Sequence, residues 1–138
     1  MRVIIVGRDT ELIKPLADRL TEAGFTIIVS ESSSAALSVM KKTSVQFVIA
    51  DTSLLIDQHL AREMLKRAPL VRLVGFSARP SIPAMIEALT QGLIDYFPRS
   101  PERLEDVVEA IVSEGRRLAR WQRALILNDA PPPKPAGE

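Results

Sequence analysis

Residues 45–51 read VQFVIAD. A nearly unbroken apolar run, with Val45, Val48 and Ile49 branched at the β-carbon, ends on a carboxylate. Short continuous runs of this kind mark strands buried on both faces of a parallel sheet. Asp51 therefore stands where such a strand leaves the core. The same pattern recurs on either side. Residues 3–6, VIIV, run into Gly7, Arg8 and Asp9, and residues 70–76, LVRLVGF, run into Ser77 and Ala78. Two further runs, Phe25 to Val29 and LIDYF at 93–97, complete a set of five.

Helical periodicity fills the gaps. Leu12, Ile13, Leu16 and Leu20 recur at helical spacing and stop at Gly24, a residue suited to the position just past a helix end. Pro15 falls inside this segment, which predicts either a late start or a kink. Ser32, Ser33 and Ser34 offer N-caps for a helix through Ala35, Leu37 and Met40. A third helix runs through Leu60, Met64 and Leu65. Ser81 and Pro83 open a fourth, through Ile86 and Leu89, which closes near Gly92. The last starts near Pro101 and reaches Leu125.

Five β–α units in succession imply an α/β fold, a doubly wound parallel sheet with helices on both faces. Right-handed crossovers leave few topologies. In such sheets the functional crevice lies beyond the carboxyl ends of the strands. The candidates are then Gly7, Arg8 and Asp9 after the first strand, Asp51 after the third, Ser77 and Ala78 after the fourth, and Tyr96 and Arg99 around the fifth.

Composition narrows the function. The chain has 138 residues, 46% of them hydrophobic and 25% charged, which suits one domain with its own core. A formal net charge of +1 gives no overall field for nucleic acid or membrane. With no cysteine and only His59, thiolate and multi-histidine metal sites are excluded. No apolar run nears the roughly 20 residues of a membrane span, and the start lacks the pattern of a signal peptide. The expected location is cytoplasmic. Neither G-x-G-x-x-G after the first strand nor G-x-x-x-x-G-K-[ST] anywhere supports a nucleotide phosphate loop. G-x-S-x-G is missing too, so a hydrolase triad has no nucleophile elbow.

What remains is an aspartate after strand three, a hydroxyl after strand four and a cation after strand five. In this the chain resembles the receiver domain of bacterial two-component response regulators. The resemblance covers residues 1 to about 113 and rests on VIIVGRDTEL, EAGF, SSSAAL, VQFVIAD, LVGFSA and GLIDYFPRSPERL in that order. It implies the flavodoxin-like (βα)5 fold with strand order 2-1-3-4-5. Asp51 takes the position of the phosphoacceptor, whose carboxylate attacks the phosphoryl group of a histidine kinase. Ser77, Tyr96 and Arg99 take the switch positions, Arg99 replacing a lysine. Gly7 and Arg8 take the positions of the acidic pair that holds Mg²⁺ in the family.

That last correspondence changes the chemistry. Gly7 offers no ligand and Arg8 puts a permanent cation where the metal belongs. Asp9 and Asp51 are the only remaining metal-ligand candidates, a poor set for an ion that wants octahedral oxygen ligation. The lysine–proline pair expected after strand five reads Arg99-Ser100, and the loop after Asp51 reads TSLLID without the usual proline and glycine. The expectation is an atypical receiver, or pseudo-receiver, in which Arg8 pairs with Asp51 in place of the metal. It is not an enzyme, has no cofactor, and takes Mg²⁺ only if phosphorylation is retained. Two alternatives stay open: a working phosphorelay receiver on Asp51, and a small-anion-binding module with Arg8 and Arg99 as anion contacts.

Receivers of the family end soon after the fifth helix. Here Leu104, Val107, Val108, Ile111, Gly115, Leu118, Trp121 or Gln122, and Leu125 continue one stripe. Acidic residues gather early and arginines late, which complements the helix dipole. The readings are a helix folding back over an edge, a dimerising or docking helix, and a nucleic-acid contact through RRLARWQR. Residues 1–125 form the expected domain, with 126–138 a proline-rich tail or linker. The expected partner is a histidine kinase or output protein, met on the face of helix four, strand five and helix five. A homodimer through the last helix is the second expectation, with no membrane and no direct nucleic-acid contact.

Overall fold

The computed structural model of the chain describes residues 1–129. Five strands, β1 (Arg2–Val6), β2 (Thr26–Ser30), β3 (Phe47–Asp51), β4 (Arg72–Ser77) and β5 (Asp95–Pro98), form one parallel sheet in the order β2-β1-β3-β4-β5. Helices α1 (Thr10–Glu22), α2 (Ser33–Lys42), α3 (Leu60–Arg67), α4 (Ile82–Thr90) and α5 (Leu104–Asp129) alternate with them. The expected architecture and strand order are both present. Among the described residues, no helix is long and apolar enough to cross a membrane.

The period of two along each strand sorts the core into two layers. Val3, Ile5, Phe47, Ile49, Val74 and Phe76 point to one face, where Leu16, Leu20, Val107 and Ile111 of α1 and α5 cover them. Ile4, Val6, Val48, Ala50 and Leu73 point to the other, under Ala36, Met64 and Ala88 of α2, α3 and α4. Both layers exclude water almost completely, which is why the strands read as continuous apolar runs. The chain ends that matter for function are brought into line by register: Val6 sits beside Ala50, Asp51 beside Phe76, and Ser77 beside Pro98.

Local signals behave as the sequence predicts at two helix starts. Ser32 and Ser81 accept hydrogen bonds from the amides of Ala35 and Ala84, at 3.2 and 3.1 Å. Pro15 is a different matter. Helix α1 begins at Thr10 and runs through it. Proline removes the bond to the Glu11 carbonyl, and both residues are exposed, so water can satisfy the freed oxygen.

Two segments depart from expectation. The stretch after Asp51 is wound into a π-helical turn, Ser53–Asp57, that buries Leu55. It closes at His59, whose φ of 60° sends the chain into α3. At the other end, a 3₁₀ turn (Pro101–Arg103) leads into α5, which continues as one helix to Asp129. It neither folds back nor stops at residue 125. The proline-rich part of the expected tail, 130–138, lies outside the described residues.

Candidate functional site

An open crevice of about 280 Å³ lies at the carboxyl ends of β1 and β3. Gly7, Arg8, Asp9, Glu31, Asp51, Ser53 and Arg99 line it, over a floor of Val6 and Phe76. Gly7 turns the chain out of β1 with φ of 150°, its amide donating to the Ser30 carbonyl at 2.9 Å. A side chain there would adopt a backbone conformation that L-residues avoid, and its Cβ would lie 3.2 Å from Ile13 Cδ1. The backbone after β1 thus favours glycine at this position.

Asp9 follows at the N-cap position of α1, and its carbonyl accepts from the amides of Leu12 and Ile13. Its side chain makes no cap bond. It turns instead to Arg99, whose Nη2 donates to Asp9 Oδ2 at 2.8 Å. The other guanidinium nitrogen, Nη1, lies 3.6 Å from Asp51 Oδ2. Asp51 Oδ1 accepts from the Ser53 amide at 2.9 Å, a local turn that fixes the carboxylate at the lip of β3. Arg99 is itself placed by the sheet: its amide donates to the Ser77 carbonyl at 2.8 Å, at the end of the β4–β5 pairing.

The guanidinium therefore spans the two carboxylates, and the expected Arg8–Asp51 pair is corrected. Arg8 is exposed and only lines the crevice, while the ion pairs of both Asp9 and Asp51 run to Arg99. The reason is reach. Arg99 leaves β5 beside Ser77 and reaches both carboxylates, whereas Arg8, exposed on the turn after Gly7, pairs with neither. The planar fork of arginine suits this two-carboxylate arrangement in a way a lysine ammonium does not. The groups are partly exposed, with side-chain accessibilities of 38% for Arg99, 36% for Asp9 and 25% for Asp51, so each pair contributes modestly.

Mg²⁺ keeps several of its waters and takes one or two carboxylates from a protein. Here the two candidates, Asp9 and Asp51, are both engaged by the Arg99 guanidinium. Among the described residues, no three Asp, Glu or His side chains converge on one point.

Ser77 and Tyr96 are brought to the same end of the sheet but are bonded elsewhere. Ser77 is buried, and its hydroxyl accepts from the Arg79 amide at 3.2 Å. The Tyr96 hydroxyl accepts from the Ser81 amide at 3.3 Å, tying β5 to the start of α4. Beyond them, α4 exposes Ile82, Ile86 and Leu89 at 70%, 57% and 44%, one apolar stripe facing water. Sequence reading missed Ser53 and Glu31 as crevice residues. Glu31 follows the end of β2 directly and could have been found by the same strand-end rule; Ser53 enters through its amide, which no residue pattern encodes.

No protein-family model matches the chain. By sequence it is 25% identical over 130 residues to the transcriptional regulatory protein GlrR of Escherichia coli (strain K12), a match that covers 90% of this chain and 29% of that protein. The chain thus spans less than a third of the curated relatives it matches. Among solved structures it is similar to an orphan response regulator of H. pylori, with TM-score 0.73 and 18% identity over 82% of this chain and 94% of that one. It is also similar to an atypical orphan response regulator described as having a phosphorylation-independent regulatory mechanism, with TM-score 0.67 and 22% identity over 82% and 96%. A third is NtrX from Brucella abortus, with TM-score 0.72 and 21% identity over 91% and 29%. The chain has the receiver fold of response regulators.

Proposed function

We propose that this receiver-fold chain is a module of two-component signalling that acts through protein contacts, with phosphoryl transfer to Asp51 weak or absent. One observation carries the reading: the Arg99 guanidinium engages Asp9 and Asp51 together. Phosphoryl transfer to a carboxylate needs compensation for the charge that gathers on the phosphoryl oxygens. In this crevice the available carboxylates are already balanced by a fixed cation. The module then has no catalysis and no cofactor of its own. Its cytoplasmic partner, a kinase or output protein, docks on the face of α4, β5 and α5, where Ile82, Ile86 and Leu89 offer apolar surface.

The test is an amide NMR titration with beryllofluoride and millimolar Mg²⁺. The expected spectrum is unchanged at Asp51, Ser53 and Ser77. Saturable shifts centred on Asp51 would overturn the reading in favour of a working phosphorelay receiver. Trp121 is a poor reporter, because it lies far along α5 and takes no part in the crevice.

A further inference from the structure

The outward face of α5 carries charge in a particular order. Glu105, Glu109, Val112, Arg116, Arg120 and Arg123 follow at spacings of four, three, four, four and three, so they rise along one side of the helix. Every member except Val112 is exposed, and Val112 packs partly against the core at the edge of the stripe. Glu102, in the preceding 3₁₀ turn, extends the acidic end. The acidic half and the basic half are mirror images. Glu109 and Arg116, Glu105 and Arg120, and Glu102 and Arg123 are each equidistant from a point between Val112 and Ser113.

A sequence of this form is complementary to itself when reversed. Two copies laid antiparallel about that point bring each glutamate opposite an arginine of the partner, in three pairs that symmetry doubles to six. A parallel arrangement would instead set glutamate against glutamate and arginine against arginine. Among the described residues, Glu102, Glu109, Arg116, Arg120 and Arg123 enter no ion pair within the chain. Glu105 is held in place by Arg19 through two hydrogen bonds, and so presents a fixed carboxylate. The small Ser113 at the centre lets the helices approach. The helix dipole accounts for acid early and base late, but not for the matched spacing on one face.

We propose that the occupant of this face is a second copy of the chain, bound antiparallel through α5. The inference goes beyond the signalling reading above and does not rest on it, since neither Asp51 nor the α4 stripe takes part. An interface of ion pairs is weak and sensitive to salt. Sedimentation equilibrium of the full chain should give a reversible dimer at low ionic strength that weakens about tenfold or more near 0.5 M salt.

The register is tested by charge reversal at the two innermost positions. Glu109→Arg alone and Arg116→Glu alone should each be monomeric, while an equimolar mixture of the two should dimerise as well as the wild type. In the mixture every antiparallel contact again joins opposite charges. A mixture that stays monomeric, a single variant that dimerises, or a wild type that is monomeric at low salt would each overturn the proposal. Both positions are exposed, and unchanged thermal melts of the single variants separate loss of pairing from loss of folding.

Discussion

Arg99 and Asp9 are ninety residues apart in sequence, yet their side chains meet at 2.8 Å. The contact joins the end of the last strand to the start of the first helix, and the same guanidinium reaches Asp51 between them. Removing it uncovers two neighbouring carboxylates. Arg99→Ala should therefore bind divalent cations more tightly than the wild type. With Mn²⁺ as a paramagnetic probe, amide signals of Asp9, Asp51 and Ser53 should broaden in the variant and remain sharp in the parent. Equal broadening in both would mean that the guanidinium does not govern the crevice.

Gly75, inside β4, lies under the segment that follows Asp51. A Cβ at this position would lie 2.7 Å from Leu93 Cδ2 and 2.8 Å from Thr52 Cγ2, inside a closely packed layer. Overpacking at such a point costs about 1–3 kcal/mol. Gly75→Ala should lower stability in urea by that amount and shift the amide of Ser53, because Thr52 directly follows Asp51.

Acid should loosen the contact between α1 and α5. The Glu105 carboxylate accepts hydrogen bonds from the Arg19 guanidinium, which holds its pKa below the ordinary 4.5. A depressed carboxylate pKa means that stabilisation is fully present above the unfolded-state value and is lost as the pH falls through the folded one. In Arg19→Leu, the Glu105 pKa followed by carbonyl-carbon NMR should rise toward the ordinary value. The variant should then lose less stability than the wild type between about pH 5 and pH 3.

The α4 stripe and the crevice should separate in cells. Ile82 and Ile86 face water, so replacing both with glutamate should leave the melting curve nearly unchanged, within about 0.5 kcal/mol for each site. If docking on α4 carries the signal, this variant reproduces the phenotype of deletion, whereas Asp51→Ala behaves as wild type. The opposite pattern would restore Asp51 to the centre of the function.

Much of this was open to reading in the chain itself. VIIV and VQFVIAD are buried on both faces and so carry no alternation, which identifies a parallel sheet and places Asp51 at its rim. What the sequence hid depends on distance through space. Arg8 and Arg99 are chemically identical, and only the register that sets Ser77 beside Pro98 decides which one meets Asp51. The π-helical turn was equally hidden, because TSLLID carries no proline or glycine to mark it, and its winding is set by burial of Leu55 and by the space above Gly75. The end of α5 is hidden for a simpler reason: the apolar stripe closes at Leu125, while the backbone remains helical to Asp129.

Helix α5 stays packed on the core as far as Leu118 and continues without a break to Asp129. The stretch beyond Leu118, at 1.5 Å per residue, makes an arm of about 16 Å. A tilt of about 5° at its root would carry the far end sideways by about 1 Å over that length. The helix is in this sense a lever whose fulcrum lies in the core, and whatever is joined beyond it receives small motions of the sheet already magnified.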